Sequence, residues 1–554
     1  MTHYFNYIRR SSSVVEIGSL PLGGLNPIRV QSMANVSTMD TSACVEQAIQ
    51  IIEVGGEYVR FTAQGVREAE NLGLIKGELI KRGYSTPLIA DIHFNPKAAE
   101  AAAVRIEKVR INPGNFVDGV KSFDEISYTD DEYSQEIEKI ECRLIPLLDL
   151  CKAHHTAIRI GVNHGSLSNR IMSRYGDTPE GMVESAMEFL RICVKEQFSD
   201  VVISIKASNV VIMVRTVRLL VDTMEKEKMF FPLHLGVTEA GDGEDGRVKS
   251  AFGIGTLLGD GIGDTIRVSL SEDPVFEIPV ARTLIDYILK REGHAVIDGA
   301  MDPSFNYYSP ARINKFRKRI KKFAGSLNEI IEDLGPNSPI YRLQLSDLTI
   351  ETLSQLRKED EGLIVAYSTH QNGVGELRAL LHKLRMEEIA LPIVIEWTYE
   401  ENDLDMLRVK AAADFGPLLL DGFGDGINII NHGSISDTEI QSCALSILQA
   451  ARLRFSKTDY ISCPGCGRTL FDLQSTIAQI KQATIGQPGL KIGIMGCIVN
   501  GPGEMADADY GYVGSGRGRI DLYKKNSCIE KNIPQEEAVE RLIKLIKENG
   551  DWQE

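Results

Sequence analysis

The sequence is poor in cysteine, has no long uninterrupted apolar run and carries no surplus of positive charge. Nine cysteines in 554 residues are too few for a disulfide scaffold. Six of them, Cys44, Cys142, Cys151, Cys193, Cys443 and Cys528, stand far apart with no repeating spacing, which points to a reducing compartment. No stretch of about 18 uncharged apolar residues exists, so no membrane-spanning helix is expected. The opening residues, MTHYFNYIRRSSSVVEIG, lack the apolar core and small-residue cleavage site of a secretion signal. With 77 acidic against 61 basic residues the formal net charge is -16. No global field gathers nucleic acid or an anionic membrane, and an anionic ligand has to be caught by a local group of cations.

What is present is ordinary globular composition, 43% hydrophobic and 25% charged, over a length that suits roughly three domains. Eight short Val- and Ile-rich runs lie between residues 28 and 270: IRVQSM, YVRFTA, PLIADIH, KVRINPG, AIRIGVN, VVISIKA, PLHLGVTEA and TIRVSL. Helical patterns such as TSACVEQAIQIIEVGG separate them. Eight buried strands alternating with helices predict a (β/α)8 barrel, with a doubly wound sheet as the alternative, because strand number alone does not prove closure. Beyond residue 285 come a basic run, RINKFRKRIKKF at 312–323, read as the solvated face of an amphipathic helix, and further α/β signals at IVAYST, PIVIEW and PLLLDG. LLGDGIGDTIRV at 257–268 is echoed by LLLDGFGDGINI at 418–429, so the middle segment is read as a shortened relative of the barrel. The expected architecture is a barrel at 1–284, an inserted, structural α/β domain at 285–441, and a small α+β domain at 442–554.

The strand ends carry the argument toward chemistry. They present Arg60, Asp91 with His93, Arg110 with Asn112, Arg159 with Asn163, Lys206 with Asn209, His234 with Glu239, and Arg267 with Ser269. In a barrel these ends converge on one mouth. Five cations there repel one another unless neighbouring carboxylates or a bound polyanion compensate them, which predicts a small substrate with phosphate or diphosphate groups.

The remaining cysteines form a different pattern. Cys463 and Cys466 make a CxxC in CPGCGR, and Cys497 stands in GIMGCIVNGPGE with Glu504 seven residues on. Glycines let backbone N–H groups approach sulfur, as iron-sulfur ligation requires. A zinc knuckle competes, but wants four Cys or His ligands where this region readily offers three. A thioredoxin-type CxxC needs no third Gly-flanked cysteine. Three thiolates on a four-iron cluster leave one iron for a weaker ligand, and Glu504 in that position would yield to a substrate oxygen.

The strings PIRVQSM, ADIHFNP, VRINPGN, IRIGVNHGSL, ISIKASN, LHLGVTEAG and GDGIGDTIRVSLSEDP, with YISCPGCGRTLFDL and GCIVNGPGEMADADYGYVG, resemble the 4-hydroxy-3-methylbut-2-en-1-yl diphosphate synthases of isoprenoid biosynthesis. The likeness covers roughly residues 15–280 and 445–520, and 285–440 resembles the extra domain of the family's large form. The resemblance implies reductive ring opening of 2-C-methyl-D-erythritol 2,4-cyclodiphosphate through a [4Fe-4S] cluster, with flavodoxin or ferredoxin as electron donor. It implies Cys463, Cys466, Cys497 and Glu504 as cluster ligands. Arg60, Arg110, Asn112, Arg159, Asn163, Lys206, Asn209, Arg267 and Ser269 would hold the substrate. Glu239 would act as the acid that helps expel a hydroxyl, the alternative being an ion-pair partner of an arginine. Family-like sequence beginning near Val14 leaves no room for a transit peptide, so a cytoplasmic protein is expected. Short-form relatives share the site across a homodimer, so whether one chain or two complete it is left open. From another class, a zinc-stabilised protein that only binds a phosphorylated metabolite remains the competing reading.

Overall fold

Each of the eight runs holds a strand: β1 (Arg29–Met33), β2 (Tyr58–Ala63), β3 (Leu88–Ile92), β4 (Lys108–Ile111), β5 (Ala157–Asn163), β6 (Val201–Lys206), β7 (His234–Leu235) and β8 (Thr265–Ile266). The computed structural model describes residues 4–117, 127–310, 325–335, 337–499 and 501–553. The basic run at 312–323 lies outside the described residues. The strands form one sheet in the order β6-β5-β4-β3-β2-β1-β8-β7, with parallel pairing throughout. Its two edges meet where Ile203 pairs with Leu233 and the Ile203 N–H donates to Pro232 O at 3.0 Å. That makes a nearly closed barrel and removes the doubly wound alternative. β2, β3, β5 and β6 are buried along their whole length, as strands covered on both faces must be.

Local chemistry sets the helices between them. Asp40 caps helix Thr41–Glu53 by accepting from the Ala43 N–H, and Cys44, Val45, Ala48 and Ile51 form its buried face. Near the N-terminus, Val15 pairs with Leu22 in an antiparallel bridge. Val15, Ile17 and Leu22 are fully buried against Tyr58, Ile89, Ala157 and Val202. Each such aliphatic side chain contributes about 1.5–3 kcal/mol by burial. This apolar plug fills the barrel at the N-terminal ends of its strands, leaving the opposite end for polar groups.

The chain divides into two compact units, one of Ser11–Gly246, Gly263–Arg282 and Lys457–Glu554, the other of Met1–Arg10, Arg247–Ile262 and Thr283–Ser456. The second unit holds a parallel sheet of β9 (Gly325–Ser326), β10 (Ile340–Leu343), β11 (Leu363–Ala366), β12 (Ile393–Tyr399) and β13 (Gly426–Asn431) in the order β10-β11-β12-β13-β9. IVAYST and PIVIEW supply β11 and β12. PLLLDG does not form a strand: it closes helix Leu404–Leu420, which is buried on nearly every side from Ala411 onward. A continuous apolar run serves a wholly buried helix as well as a buried strand, and the strand follows at 426. Helix Asp437–Ala450 belongs to this unit, so the C-terminal portion begins at Lys457 rather than at 442.

The sequence echo is structural. Both copies run from a helix through a glycine turn into a strand, with Gly261 and Gly263 at φ 77° and 124° matched by Gly422 and Gly424 at 84° and 77°. Asp264 accepts from the Leu233 N–H before β7, and its counterpart Asp425 accepts from the Ile393 N–H before β12, each at 2.9 Å.

In the C-terminal portion, β14 (Asp459–Ser462), β15 (Lys491–Met495) and β16 (Tyr510–Gly516) run parallel, and β17 (Arg519–Lys524) and β18 (Ser527–Pro534) continue antiparallel. Ala240, just past β7, pairs with Ser462 of β14. The Ser271 hydroxyl donates to Cys463 O at 2.9 Å. The C-terminal sheet therefore abuts the barrel mouth of its own chain.

Candidate active site

Side chains alternate in and out along barrel strands, so Arg60, Asp91, Arg110, Arg159, Lys206 and Arg267 all face one space. That space is one cavity, whose lining also includes His93, Asn163, Glu239, Ser269, Cys463, Cys466, Cys497 and Glu504. Asn112 and Asn209 do not line it. Asn112 donates to Ser166 Oγ and accepts from the Gly114 N–H, and Asn209 caps the helix that follows β6. Their short amides are consumed by the turns they stabilise.

The five cations are not alike. Arg267 is paired with Glu277, Nε to Oε2 at 3.0 Å and Nη2 to Oε1 at 2.8 Å. Arg110 is fixed by Asp91 Oδ1 at 3.1 Å, His93 Nε2 at 2.6 Å, Gly161 O at 2.7 Å and Asn163 Oδ1 at 3.0 Å. Burial alone would raise the Asp91 pKa, but Arg60, Arg110 and His93 outweigh it and hold that carboxyl well below its usual range. Burial and then Arg110 lower His93 to about 3, so its imidazole is neutral. Arg60 donates to the thioether of Met33 at 3.0 and 2.7 Å, and Arg159 Nε and Nη1 have no partner within the protein. Burial, then Arg60, Arg267 and Arg159, push Lys206 well down. Lys206 owes its place to Gly236, where a Cβ would lie 2.7 Å from its Nζ and 3.0 Å from Arg267 O. Among the described residues, Arg60, Arg159 and Lys206 are thus the cations of the mouth with no carboxylate in ion-pair contact, Asp91 and Glu239 acting on Arg60 and Lys206 only from farther off.

The sulfurs enter from the C-terminal sheet. Cys463 follows β14 directly and Cys497 follows β15 by two residues, so adjacent parallel strands deliver them side by side. The Gly465 N–H donates to Cys463 Sγ at 3.3 Å. Burial, then Glu239, Cys466 and Cys497, push the Cys463 thiol well up. Burial also raises Cys497, against the pull of Arg468. Glu504 ends the short helix Gly501–Glu504 and reaches into the barrel, where its Oε1 accepts from Asn163 Nδ2 at 2.7 Å and its backbone O from Ser208 Oγ at 3.2 Å. Close backbone contact makes this reach feasible: a Cβ on Gly165 would lie 2.1 Å from Gly503 O. Glu239 has φ 51°, a strained conformation for this residue. Burial and then Glu504 raise its carboxyl well above the usual range. Among the described residues no three His, Cys, Asp or Glu side chains converge closely enough to hold a single metal ion. The donors surround a volume rather than a point.

Two families of models match the chain in consecutive regions, the GcpE TIM-barrel domain at 12–282 and the GcpE protein C-terminal domain at 459–548. The 4-hydroxy-3-methylbut-2-en-1-yl diphosphate synthase (flavodoxin) of Parabacteroides distasonis is 58% identical, over 99% of this chain and 99% of that protein. The chain belongs to this synthase family. The enzyme of the same name from Porphyromonas gingivalis is 50% identical over the whole of both chains, and that from Akkermansia muciniphila is 42% identical over 99% and 98%. The match is therefore to full-length members, middle segment included.

Several site groups escaped the sequence reading. Arg468 lines the cavity, with Nη2 3.9 Å from Asp91 Oδ2. It stood in plain view in CPGCGR, but cations were sought only at strand ends. Beneath the mouth lies a second, unexpected layer. Gln31, Lys108, His234 and Thr265 each sit two residues before a strand position on the same inward face, and all are buried. With Arg159 they contribute eight side-chain nitrogen and oxygen atoms that have no hydrogen-bond partner among the described residues. Each such atom costs about 1–3 kcal/mol if left unsatisfied, a sum of the order of a whole domain's stability of about 5–15 kcal/mol. This layer is not inert filling; barrel interiors are ordinarily packed with branched aliphatic side chains.

Proposed function

We propose that the protein reduces 2-C-methyl-D-erythritol 2,4-cyclodiphosphate to (E)-4-hydroxy-3-methylbut-2-enyl diphosphate in the cytoplasm, with flavodoxin as electron donor. The conversion takes up two electrons and one proton, opens the ring at a carbon–oxygen bond and releases one hydroxyl as water. The observation that carries this reading is a single cavity of a single chain, lined by the barrel's cations on one side and by three thiols and a carboxylate on the other.

The donor set suits a [4Fe-4S] cluster: Cys463, Cys466 and Cys497 as thiolates and Glu504 as the fourth ligand. Three thiols, one buried and two half-buried, and a carboxylate around a volume, with a backbone N–H already directed at one sulfur, match a polynuclear cluster better than a lone ion. Such a cluster supplies electrons singly and offers one iron whose oxygen ligand is exchangeable.

The chain's own residues do the rest. Arg60, Arg159 and Lys206, with no carboxylate in ion-pair contact among the described residues, take the diphosphate oxygens, and Arg267, Asn163 and Ser269 complete the cradle. Asp91 and His93 hold Arg110 in one orientation, so that its guanidinium is in place before substrate arrives. Glu239, kept protonated by burial and by Glu504, gives the proton that turns the departing hydroxyl into water. Neutral His93 does not compete for that role.

The test is purification under strict exclusion of oxygen. Brown protein with about four iron and four sulfide per chain, which converts the cyclic diphosphate when given reduced flavodoxin, is the expected result. Colourless protein with one zinc per chain and no turnover would overturn the reading.

A further inference from the structure

Among the described residues, Lys108 is a fully buried lysine without an ion-pair or hydrogen-bond partner. It begins β4, faces the barrel interior two residues below Arg110, and is fully buried. Its Nζ has no hydrogen-bond partner among the described residues and lies 4.6 Å from the centre of the Tyr58 ring. A ring face attracts an ammonium but does not replace the water or carboxylate that a buried charge requires.

The groups around it offer no such replacement. β2 contributes Arg60, β5 Arg159, β6 Lys206 and β7 His234, whose ring nitrogens are both unpartnered. β1 contributes neutral Gln31 and, at its start, Arg29, which is paired with Glu57 at 2.7 Å. Asp91 on β3 is engaged by Arg110, and Arg267, just past β8, by Glu277. Glu107, next in the chain, is paired with Lys76 at 2.5 Å, and Glu16 and Glu57 act on Tyr58. The groups that act electrostatically on Lys108 itself are Arg159 and Arg60, both positive.

We propose that the barrel interior beneath the cradle is a proton-binding site, in which Lys108 is an unprotonated amine while the cradle is empty and takes up one proton when the doubly negative substrate binds above it. Burial and then the two arginines push Lys108 well below the usual lysine range, in keeping with this geometry. Two negative charges placed against Arg60 and Arg159 offset the field that keeps the proton away. The ammonium forms from the amine and a proton drawn from solvent. The cyclic diphosphate has one strongly acidic hydroxyl on each phosphorus, so it takes up no proton itself near neutral pH.

The inference rests on the proposed substrate, and the experiment separates the two. Cluster-loaded protein is titrated with the cyclic diphosphate by calorimetry at pH 8, in two buffers of different ionisation enthalpy. Uptake close to one proton per substrate is expected, with affinity falling about tenfold per pH unit across the window of uptake. In Lys108→Met, substrate should still bind and the cluster absorbance remain, but uptake should vanish; Lys108→Gln serves the same purpose if the methionine variant does not fold. Substrate binding without proton uptake overturns this inference alone, as does uptake that persists in Lys108→Met or Lys108→Gln and disappears only in His234→Phe. Absence of any binding removes the proposed substrate first.

Discussion

Alanine in place of Cys466 is expected to give a folded, colourless protein without measurable reduction of the cyclic diphosphate. Cys466 sits in the turn between β14 and the cavity, and its backbone N–H is already satisfied by Thr469 Oγ1 at 3.1 Å. The turn therefore survives loss of the sulfur. On the proposed assignment, three thiolates would leave the cluster one exchangeable position, and two would give it no stable mooring. The fall in activity should exceed the 10–100-fold typical of losing a group that merely supports a metal ligand, about that size by analogy with metal sites generally. Iron and sulfide analysis, visible absorption and turnover check it together. A brown, active Cys466→Ala variant would remove this cysteine from the ligand set.

Glutamine at position 239 is the second large effect. It keeps the shape of Glu239 and a donor toward Glu504 but has no proton to give. Loss of a general acid lowers kcat by about 10²–10⁴-fold, while KM should change little if, as proposed, Arg60, Arg159 and Lys206 hold the diphosphate. Stopped-flow reduction of substrate by pre-reduced protein, followed at constant iron content, measures this. If KM rises instead and kcat is preserved, Glu239 is a partner of the cradle arginines and the proton comes from elsewhere.

Much of this site was legible in the sequence, for a definite reason. Strand-end positions of a barrel are fixed by the period of two, so once IRVQSM to TIRVSL were recognised as strands, Arg60, Arg110, Arg159, Lys206 and Arg267 had to share a mouth. The glycines around Cys463, Cys466 and Cys497 declared close backbone approach in the same way. What periodicity does not encode is pairing. Nothing in the strings distinguishes Arg267, neutralised by Glu277, from Arg159, which has free N–H groups. Nor does it show that Asn112 and Asn209 spend their amides on local turns. PLLLDG misled because burial on all sides erases the helical signature, and Lys108 was passed over because a buried lysine has no sequence mark. The proposal that one chain completes the site rests on Gly165 and Gly503, whose contact lets Glu504 reach the barrel. That is a tertiary fact with no local signal.

The central claim is that one chain supplies both halves of one site. Mixing two inactive variants, Cys466→Ala and Glu239→Gln, under conditions that exchange subunits tests it directly. A self-contained site predicts that the mixture is no more active than its components. Recovery of roughly a quarter of the wild-type rate, as expected when hybrid two-fold dimers rebuild one good site from two chains, would contradict it.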